Sequence, residues 1–252
     1  MIIFKRIFLV LIFILMTEEL ISQTSFKDSQ MKYERVKTAY KEKEKTVKKN
    51  LETYNINLKK LEILLIAYKK EKKLQLWAKE KGKDVYQKIQ TYNFSAFSGE
   101  LGPKRKQGDY QIPEGFYFIE RFNPMSNFYL SLGINYPNQS DKKKSRTKDL
   151  GGDVFIHGDN VTIGCIPITD EKIKELYLYA VEARNNGQQK INVAIFPSEL
   201  DDKGFKKLQN DYASEKKLLN FWSNLKEVYD YFQSKKQFPK ISVDENGDYI
   251  YK

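Results

Sequence analysis

The only histidine and the only cysteine of this 252-residue chain lie eight positions apart, at His157 and Cys165. Gly158 follows the histidine directly, and Gly164 directly precedes the cysteine. A thiol is a weak nucleophile until a neighbouring base takes its proton, and an imidazole is a common partner for that step. The pair therefore indicates nucleophilic cysteine chemistry, and Gly164 would let a carbonyl carbon approach the sulfur closely.

Two other interpretations of the pair stay open at the level of composition. A lone cysteine is often a small buried apolar residue, and a lone histidine at a strand end is often a hydrogen-bonded polar group. Metal binding is less well supported, because one histidine, one cysteine and scattered acids do not make a closed zinc set. We expect no metal and no cofactor.

The elements around the pair are a strand before the histidine and a helix after the cysteine. Thr169 is a candidate N-cap for a helix that carries Asp170 and Glu171 in its first turn and stops near Gly187. If the dipole of this helix points at the sulfur, it lowers the pKa of the Cys165 thiol.

The rest of the chain alternates between helical and strand patterns. One apolar helical stripe covers about residues 25–60, and we favour a helix packed on the body of the protein over a coiled coil or a membrane spacer. A second helical pattern covers about residues 204–232, and Asn246-Gly247 predicts a terminal hairpin. Residues 61–78 fit a continued helix or a hairpin equally well. Further strands are predicted at residues 85–92, 116–119, 128–134 and 191–196. Residues 141–148 form a charged loop, either solvated or a lid over a cleft.

The N-terminus has the pattern of an export signal. Lys5 and Arg6 precede an apolar run from Ile7 to Met16, which is too short for a convincing membrane span. We expect cleavage near residue 23 and a periplasmic or cell-envelope location; an uncleaved segment would be the only membrane contact. The net charge of +11 comes from lysines mixed with glutamates, which favours a solvated surface near an anionic envelope over nucleic-acid binding.

The segment from Val154 to Cys165 resembles the signature of the L,D-transpeptidase (YkuD-type) family, His-Gly, a spacer, then Ser/Thr-X-Gly-Cys. The family often has a second histidine and an arginine where this chain has Ile163 and Pro167, and these departures match its YafK-like branch. A second match lies upstream, where Gly108-Asp109 and Pro113-Glu114-Gly115 resemble the family's Gly-Asp and Thr-Pro-Glu-Gly elements, with Ile112 in place of threonine.

The resemblance implies an α+β fold: a mostly-β, sandwich-like catalytic domain with a helix after the nucleophile and helical extensions at both ends. The catalytic domain of this family opens with a hairpin, so residues 61–78 are expected to form a hairpin rather than a continued helix. The expected organisation is a signal peptide over residues 1–23, a helical segment over 24–60, the catalytic domain over 61–198, and over 199–252 a helical extension with a terminal hairpin.

The resemblance also implies a reaction. Cys165 would form a thioester with a peptidoglycan tetrapeptide stem and release D-alanine, with His157 as the base and the Gly158 carbonyl orienting the imidazole. The acyl group would pass to an amine of a neighbouring stem or of an envelope protein. The implied oxyanion hole is formed by the amides of Ile163, Gly164 and Cys165. The implied substrate-binding residues are Thr162, Tyr129, Asn135 and Tyr136.

Three alternatives remain at this stage. A carboxypeptidase or amidase would hydrolyse the same type of bond with the same residues. An inactive cell-wall-binding protein would keep the motif without the chemistry. A papain-like endopeptidase is disfavoured, because those enzymes place the cysteine before the histidine.

Overall fold

A computed structural model describes residues 24–252, so the predicted signal peptide lies outside the described residues. Eight strands form one mixed, curled sheet. They are β1 (Leu61–Tyr68), β2 (Lys73–Glu80), β3 (Gln87–Asn93), β4 (Gly115–Ser126), β5 (Tyr129–Ile134), β6 (Phe155–His157), β7 (Ile166–Pro167) and β8 (Ile191–Phe196). Their order is β3-β2-β1-β8-β4-β5-β6-β7. The pairs β1–β8 and β6–β7 are parallel and the other neighbours antiparallel.

Helices flank this sheet. They are α1 (Phe26–Gln30), α2 (Glu34–Thr53), α3 (Gln139–Lys144), α4 (Asp170–Asn185), α5 (Asp202–Asp211) and α6 (Lys216–Lys235), with a 3₁₀ turn at Leu58–Lys60. A separate hairpin pairs β9 (Ile241–Val243) with β10 (Tyr249–Tyr251). The predicted α+β class is confirmed. Within residues 24–252, no helix combines the length and the apolar character that crossing a membrane requires.

Two hydrophobic cores lie on the two faces of the sheet. Ile63, Leu65 and Ala67 of β1 belong to the core with α2 and α4, whereas Leu64 and Ile66 belong to the core with α6. Since β1 is buried on both faces between β2 and β8, its side chains are apolar at nearly every position rather than at alternate ones. The predicted hairpin over residues 61–78 is therefore confirmed over a continued helix.

The N-terminal helical segment is shorter than its apolar stripe predicts. The helix is interrupted at residues 31–33, and α2 ends at Thr53, where Asn55 adopts a positive φ of 54°. Asparagine tolerates this left-handed conformation, so it ends the helix at low energetic cost. Val36, Tyr40 and Val47 of α2 are buried, and the helix packs against α4, as the packed interpretation predicted.

Three local expectations are corrected. The predicted helix over 204–232 is two helices, α5 and α6, separated at residues 212–215. The charged loop over 141–148 begins as helix α3, because Asn138 and Asp141 form a capping box and Asp141 is buried in an ion pair with Arg105. Thr169 occupies the N-cap position of α4, but its φ is 73° and its side chain makes no capping hydrogen bond.

Candidate active site

The sheet brings His157 and Cys165 together at its β6–β7 edge. His157 ends β6 and is aligned with Pro167 of β7, so Cys165, two residues before Pro167, lies beside Phe155. On the other side of β6, His157 is paired with Ser131 of β5. The nucleophile candidate and the base candidate therefore come from neighbouring strand ends and lie diagonally across the pair.

The imidazole of His157 is held from two sides. Its Nδ1 lies 2.5 Å from the carbonyl oxygen of Gly158, and its ring packs against that of Phe128 with 4.5 Å between the ring centroids. A carbonyl oxygen only accepts hydrogen bonds, so the proton is on Nδ1 and the neutral ring presents Nε2 as a base. The side chain is 1% exposed. Burial lowers the pKa of His157, while the Gly158 carbonyl and the charges of Asp159 and Asp170 oppose that shift.

The thiol of Cys165 is held by the main chain. The amide of Phe155 donates to Sγ at 3.4 Å, and Sγ donates to the carbonyl oxygen of Asp153 at 3.7 Å. Burial raises the pKa of the Cys165 thiol, the Phe155 amide lowers it, the Asp153 carboxylate raises it, and the Lys104 ammonium lowers it. The depression expected from the start of α4 is not found, because burial dominates.

Within the described part of the chain, the imidazole is not among the hydrogen-bond partners of the sulfur. The raised pKa of the thiol and the lowered pKa of the imidazole both favour the uncharged pair. The resting site therefore holds a thiol and a neutral imidazole on adjacent strands rather than a preformed ion pair.

The turn before the cysteine is organised by Thr162. Its hydroxyl oxygen accepts from the amides of Gly164 at 3.1 Å and Cys165 at 2.9 Å, and its hydroxyl donates to the Cys165 carbonyl at 2.8 Å. Two of the three amides expected in the oxyanion hole are therefore already bonded to Thr162. The polar contacts of Thr162 thus lie within the turn, although the sequence placed it at the substrate. The side chain of Ile163, at the tip of this turn, is 74% exposed.

At both glycines of the motif, a larger residue would come too close to neighbouring atoms. Gly164 has a φ of 133°, and a Cβ there would lie 3.0 Å from the carbonyl oxygen of Gln111. A Cβ on Gly158 would lie 2.8 Å from the carbonyl oxygen of Phe128 and would overlap the carboxylate of Asp170. The Gly158 amide also donates to the carbonyls of Phe128 and Leu130. Its position beside the imidazole is thus fixed by close contact with β5 and α4.

The other three expected substrate-binding residues make their contacts elsewhere. Tyr136 is 5% exposed, and its hydroxyl donates to the Leu150 carbonyl at 3.1 Å. The side-chain oxygen of Asn135 accepts from the Phe118 amide at 2.7 Å. The ring of Tyr129 is half-buried, with the guanidinium of Arg35 5.5 Å from its centroid. These contacts show that each of the three residues stabilises the fold. Their role in substrate binding stays a prediction.

One cluster beside the sulfur was missed by sequence reasoning. Arg121 of β4 pairs with Asp153 at 2.6 Å, and its guanidinium lies 4.8 Å from the ring centroid of Phe155. Gly133 of β5 makes room for this arrangement, because a Cβ there would lie 2.9 Å from the Phe155 ring. Arg121 is 32 positions from Asp153, so only the strand order could have linked the two.

The described residues contain no cluster of side chains that could bind a metal ion. Among residues 24–252, no three His, Cys, Asp or Glu side chains group closely enough to hold a metal ion.

Comparison with known proteins assigns the fold and the site to a class. The sequence profile described as the L,D-transpeptidase catalytic domain (YkuD) matches residues 63–193. The chain is 36% identical over 185 residues to the Escherichia coli (strain K12) protein YafK, whose name gives the L,D-transpeptidase assignment as provisional; the match covers 73% of this chain and 71% of that protein. The chain therefore belongs to the L,D-transpeptidase family with a YkuD catalytic domain.

Two solved structures are similar over a comparable share of the chain. The helical cell shape determining protein Pgp2 from Campylobacter jejuni is 22% identical, with a TM-score of 0.44 and 73% of each chain covered. Bd1075 from Bdellovibrio bacteriovorus is 20% identical, with a TM-score of 0.40, and the match covers 73% of this chain and 77% of that one. The family assignment rests on the two sequence comparisons.

Proposed function

We propose that this protein is a cysteine-dependent murein L,D-transpeptidase that acts on tetrapeptide stems of peptidoglycan. The observation that supports it most is the meeting of the only histidine and the only cysteine on neighbouring strands, with Nδ1 of His157 held by the Gly158 carbonyl. That arrangement leaves Nε2 available as a base beside a thiol, which is the pairing that acyl transfer requires.

The reaction begins with the proton of the Cys165 thiol. Because the resting pair is uncharged, Nε2 of His157 takes this proton as Sγ attacks the carbonyl carbon of the third stem residue. For this, Sγ leaves the Asp153 carbonyl and turns toward the imidazole. The tetrahedral intermediate collapses by breaking the bond to the terminal D-alanine, whose amine takes the proton from the imidazolium. A thioester on Cys165 remains.

The second half transfers the acyl group. An amine of a neighbouring stem, or of an envelope protein, attacks the thioester and loses a proton to Nε2. The C–S bond breaks, and the thiolate regains a proton from the imidazolium. The amides of Ile163, Gly164 and Cys165 stabilise the oxyanion in both halves. Two of them bind the Thr162 hydroxyl at rest, so the oxyanion shares these amides with the hydroxyl that holds the turn in place.

Location follows from the substrate. The predicted export signal would carry the catalytic domain to the envelope, where peptidoglycan stems are available. The segment acts as a cleaved leader in this proposal, and retention of the segment would add a membrane anchor without changing the chemistry.

The test uses disaccharide-tetrapeptide fragments and the purified protein beside a Cys165→Ala control, with products read by mass spectrometry. A cross-linked dimer with free D-alanine, absent from the control, supports the transpeptidase. Tripeptide without dimer would instead identify a carboxypeptidase. No product in either sample would favour an inactive wall-binding protein.

A further inference from the structure

A groove of about 1050 Å³ lies between the central strands of the sheet and the C-terminal hairpin. Phe118 and Glu120 of β4, with Asn192 of β8, line one side, and Phe238 and Lys240 line the other. Its volume is at the upper end of that of small-molecule pockets, which favours an extended ligand. None of the groups that transfer the acyl group lies in this groove, although Asn135 and Tyr136, two of the predicted substrate-binding residues, line it.

The charge of the groove is unbalanced. Lys142, Lys190 and Lys240 line it and are exposed, while Glu120 is the one acidic residue among the lining residues. Over residues 24–252, none of these three lysines takes part in an ion pair. Three free ammonium groups along one groove attract a ligand with several carboxylates.

The uncharged lining suits a ligand that also has rings and amides. The Lys190 ammonium lies 4.9 Å from the ring centroid of Phe118, and both Phe118 and Phe238 are partly exposed. Asn192 adds an amide on the same side. Apolar rings fit the faces of sugars, amides fit peptide groups, and ammonium groups fit carboxylates. A glycan that carries acidic peptides has all three of these ligand groups.

The groove and Cys165 are connected along one face of the sheet. Tyr117 and Ile119 of β4 point into the α2–α4 core, so Phe118 lies on the opposite face. Arg121, Gly133 and Phe155 occupy that same face on successive strands. A bulge between Ile119 and Arg121 shifts the alternation of β4, and Leu132 and Ile156, next to Gly133 and Phe155, point into the α2–α4 core. From β4 to β7 there are three strand spacings, or about 14 Å. The first three stem residues, which lead from the glycan to the reacting carbonyl, span about 10 Å when extended, and the linkage to the sugar adds to this reach.

We propose that this groove is an accessory binding site for the peptidoglycan strand whose stem reaches Cys165. The inference rests on the proposed function. The glycan and the carboxylates of adjacent stems occupy the groove, while one stem crosses the Arg121–Phe155 surface to the thiol. The site distinguishes polymeric peptidoglycan from isolated fragments, because a single disaccharide-tetrapeptide bound at Cys165 is too short to engage it fully.

The test reverses charge in the groove with the double variant Lys190→Glu/Lys240→Glu. The matched control is Lys203→Glu/Lys206→Glu, which makes the same charge change at two exposed lysines of α5. Each double variant is made in the Cys165→Ala background and sedimented with purified sacculi. We expect the groove variant to bind at least about fivefold more weakly than its parent, and the control to stay within about twofold.

Kinetics of the same double variants with Cys165 intact provide the second readout. We expect KM for polymeric peptidoglycan to rise for the groove variant, with a clearly smaller rise in KM for the disaccharide-tetrapeptide, which reaches only part of the groove. Equal sedimentation of the two double variants, or an equal rise of both KM values, would overturn the inference. So would weaker binding to phosphatidylglycerol vesicles with unchanged binding to sacculi, which would identify a membrane surface instead. Sedimentation needs no turnover. An inactive wild-type protein would therefore contradict the proposed reaction, while the binding result could still be interpreted.

Discussion

Cys165 and His157 share one electrostatic environment, and it favours neutral groups. Both side chains are largely withdrawn from solvent, which raises the pKa of an acid and lowers that of a cationic base. The sulfur is bonded to the main chain of Phe155 and Asp153 instead of to the imidazole. In the proposed reaction, the nucleophile is therefore generated as the substrate arrives rather than stored as a thiolate.

The first prediction concerns pH. Because the thiol pKa is raised, Cys165 should react with iodoacetamide more slowly at pH 7 than a free thiol, with an inflection above the ordinary thiol value of about 8.5. Because the pKa of His157 is lowered, its neutral form persists below pH 6.5. The inflection on the acidic side of the pH profile of kcat/KM should therefore lie at a pH lower than 6.5. Alkylation rates and initial rates measured from pH 5 to 10 give both curves. Rapid labelling at neutral pH would contradict the neutral resting pair.

The second prediction concerns Thr162. Thr162→Val keeps the shape of the side chain and removes the oxygen that binds the Gly164 and Cys165 amides. We expect at least about a tenfold loss in kcat, because the turn that carries the amides loses its fixed geometry. Thr162→Ser retains the hydroxyl and should keep most of the activity. Comparable losses in both variants would show that the methyl group, rather than the hydroxyl, matters.

Individual elements differ in how far the sequence predicts them. The strands β5 and β8 and the terminal hairpin follow from alternation and turn residues, which are local signals. The local pattern of β1 and β2 fits a helix equally well, and their hairpin was expected from the family resemblance. Helix α3 was missed because its one local signal is the Asn138–Asp141 capping box, while the ion pair that buries Asp141 against Arg105 joins residues 36 positions apart. The interruption between α1 and α2 has no helix-breaking residue to announce it.

The candidate site shows the same division. The motif identifies His157, Gly158 and Cys165, and the structure brings these residues together. The motif does not reveal that Thr162 already binds the Gly164 and Cys165 amides, and its substrate-binding role stays a prediction. The Arg121–Asp153 pair depends on the order of β4, β5 and β6, which no local pattern encodes.

The third prediction tests the packing of Gly158, which directly follows β6. A Cβ on Gly158 would lie too close to the Phe128 carbonyl and Asp170, so Gly158→Ala forces backbone or side-chain movement around the imidazole. We expect a loss of about 1–3 kcal/mol in the free energy of unfolding, measured with urea, together with a large loss of activity. Gly152→Ala is the matched control, because a Cβ there has no neighbouring atom within 4 Å. If both substitutions destabilise equally, the close approach at Gly158 is not the cause.

At the scale of the whole molecule, one buried carboxylate connects the C-terminal helices to the loop beside the candidate active site. Glu114 and Lys69 are both 0% exposed and lie 3.0 Å apart. Glu114 also accepts from Trp222 of α6 and from the Gly102 amide, each at 2.7 Å. Burial lowers the pKa of Lys69, and the charge of Glu114 opposes that shift.

This network of contacts extends along the chain to the neighbourhood of Cys165. The Lys69 ammonium donates to the carbonyls of Gly102 and Ile112, which bracket the loop whose Gln111 carbonyl lies against Gly164. The residues over 199–252 thus help to build the second core of the sheet and also hold the loop next to Cys165. An extension that only tethered the protein would need neither contact.

The last prediction separates these two tasks. Trp222→Phe keeps an aromatic ring in the core but removes the N–H that donates to Glu114, leaving part of a buried carboxylate without a partner. We expect the free energy of unfolding to fall by about 2–4 kcal/mol and kcat to fall as well, because the loop against Gly164 loosens. Trp77→Phe is the control: its N–H donates to neutral Gln75, and its ring packs on Phe232 of the same helix. That variant should lose less stability and keep its kcat under conditions in which both proteins are folded. Equal kcat values for the two variants would mean that the C-terminal helices support the sheet without positioning the active-site loop.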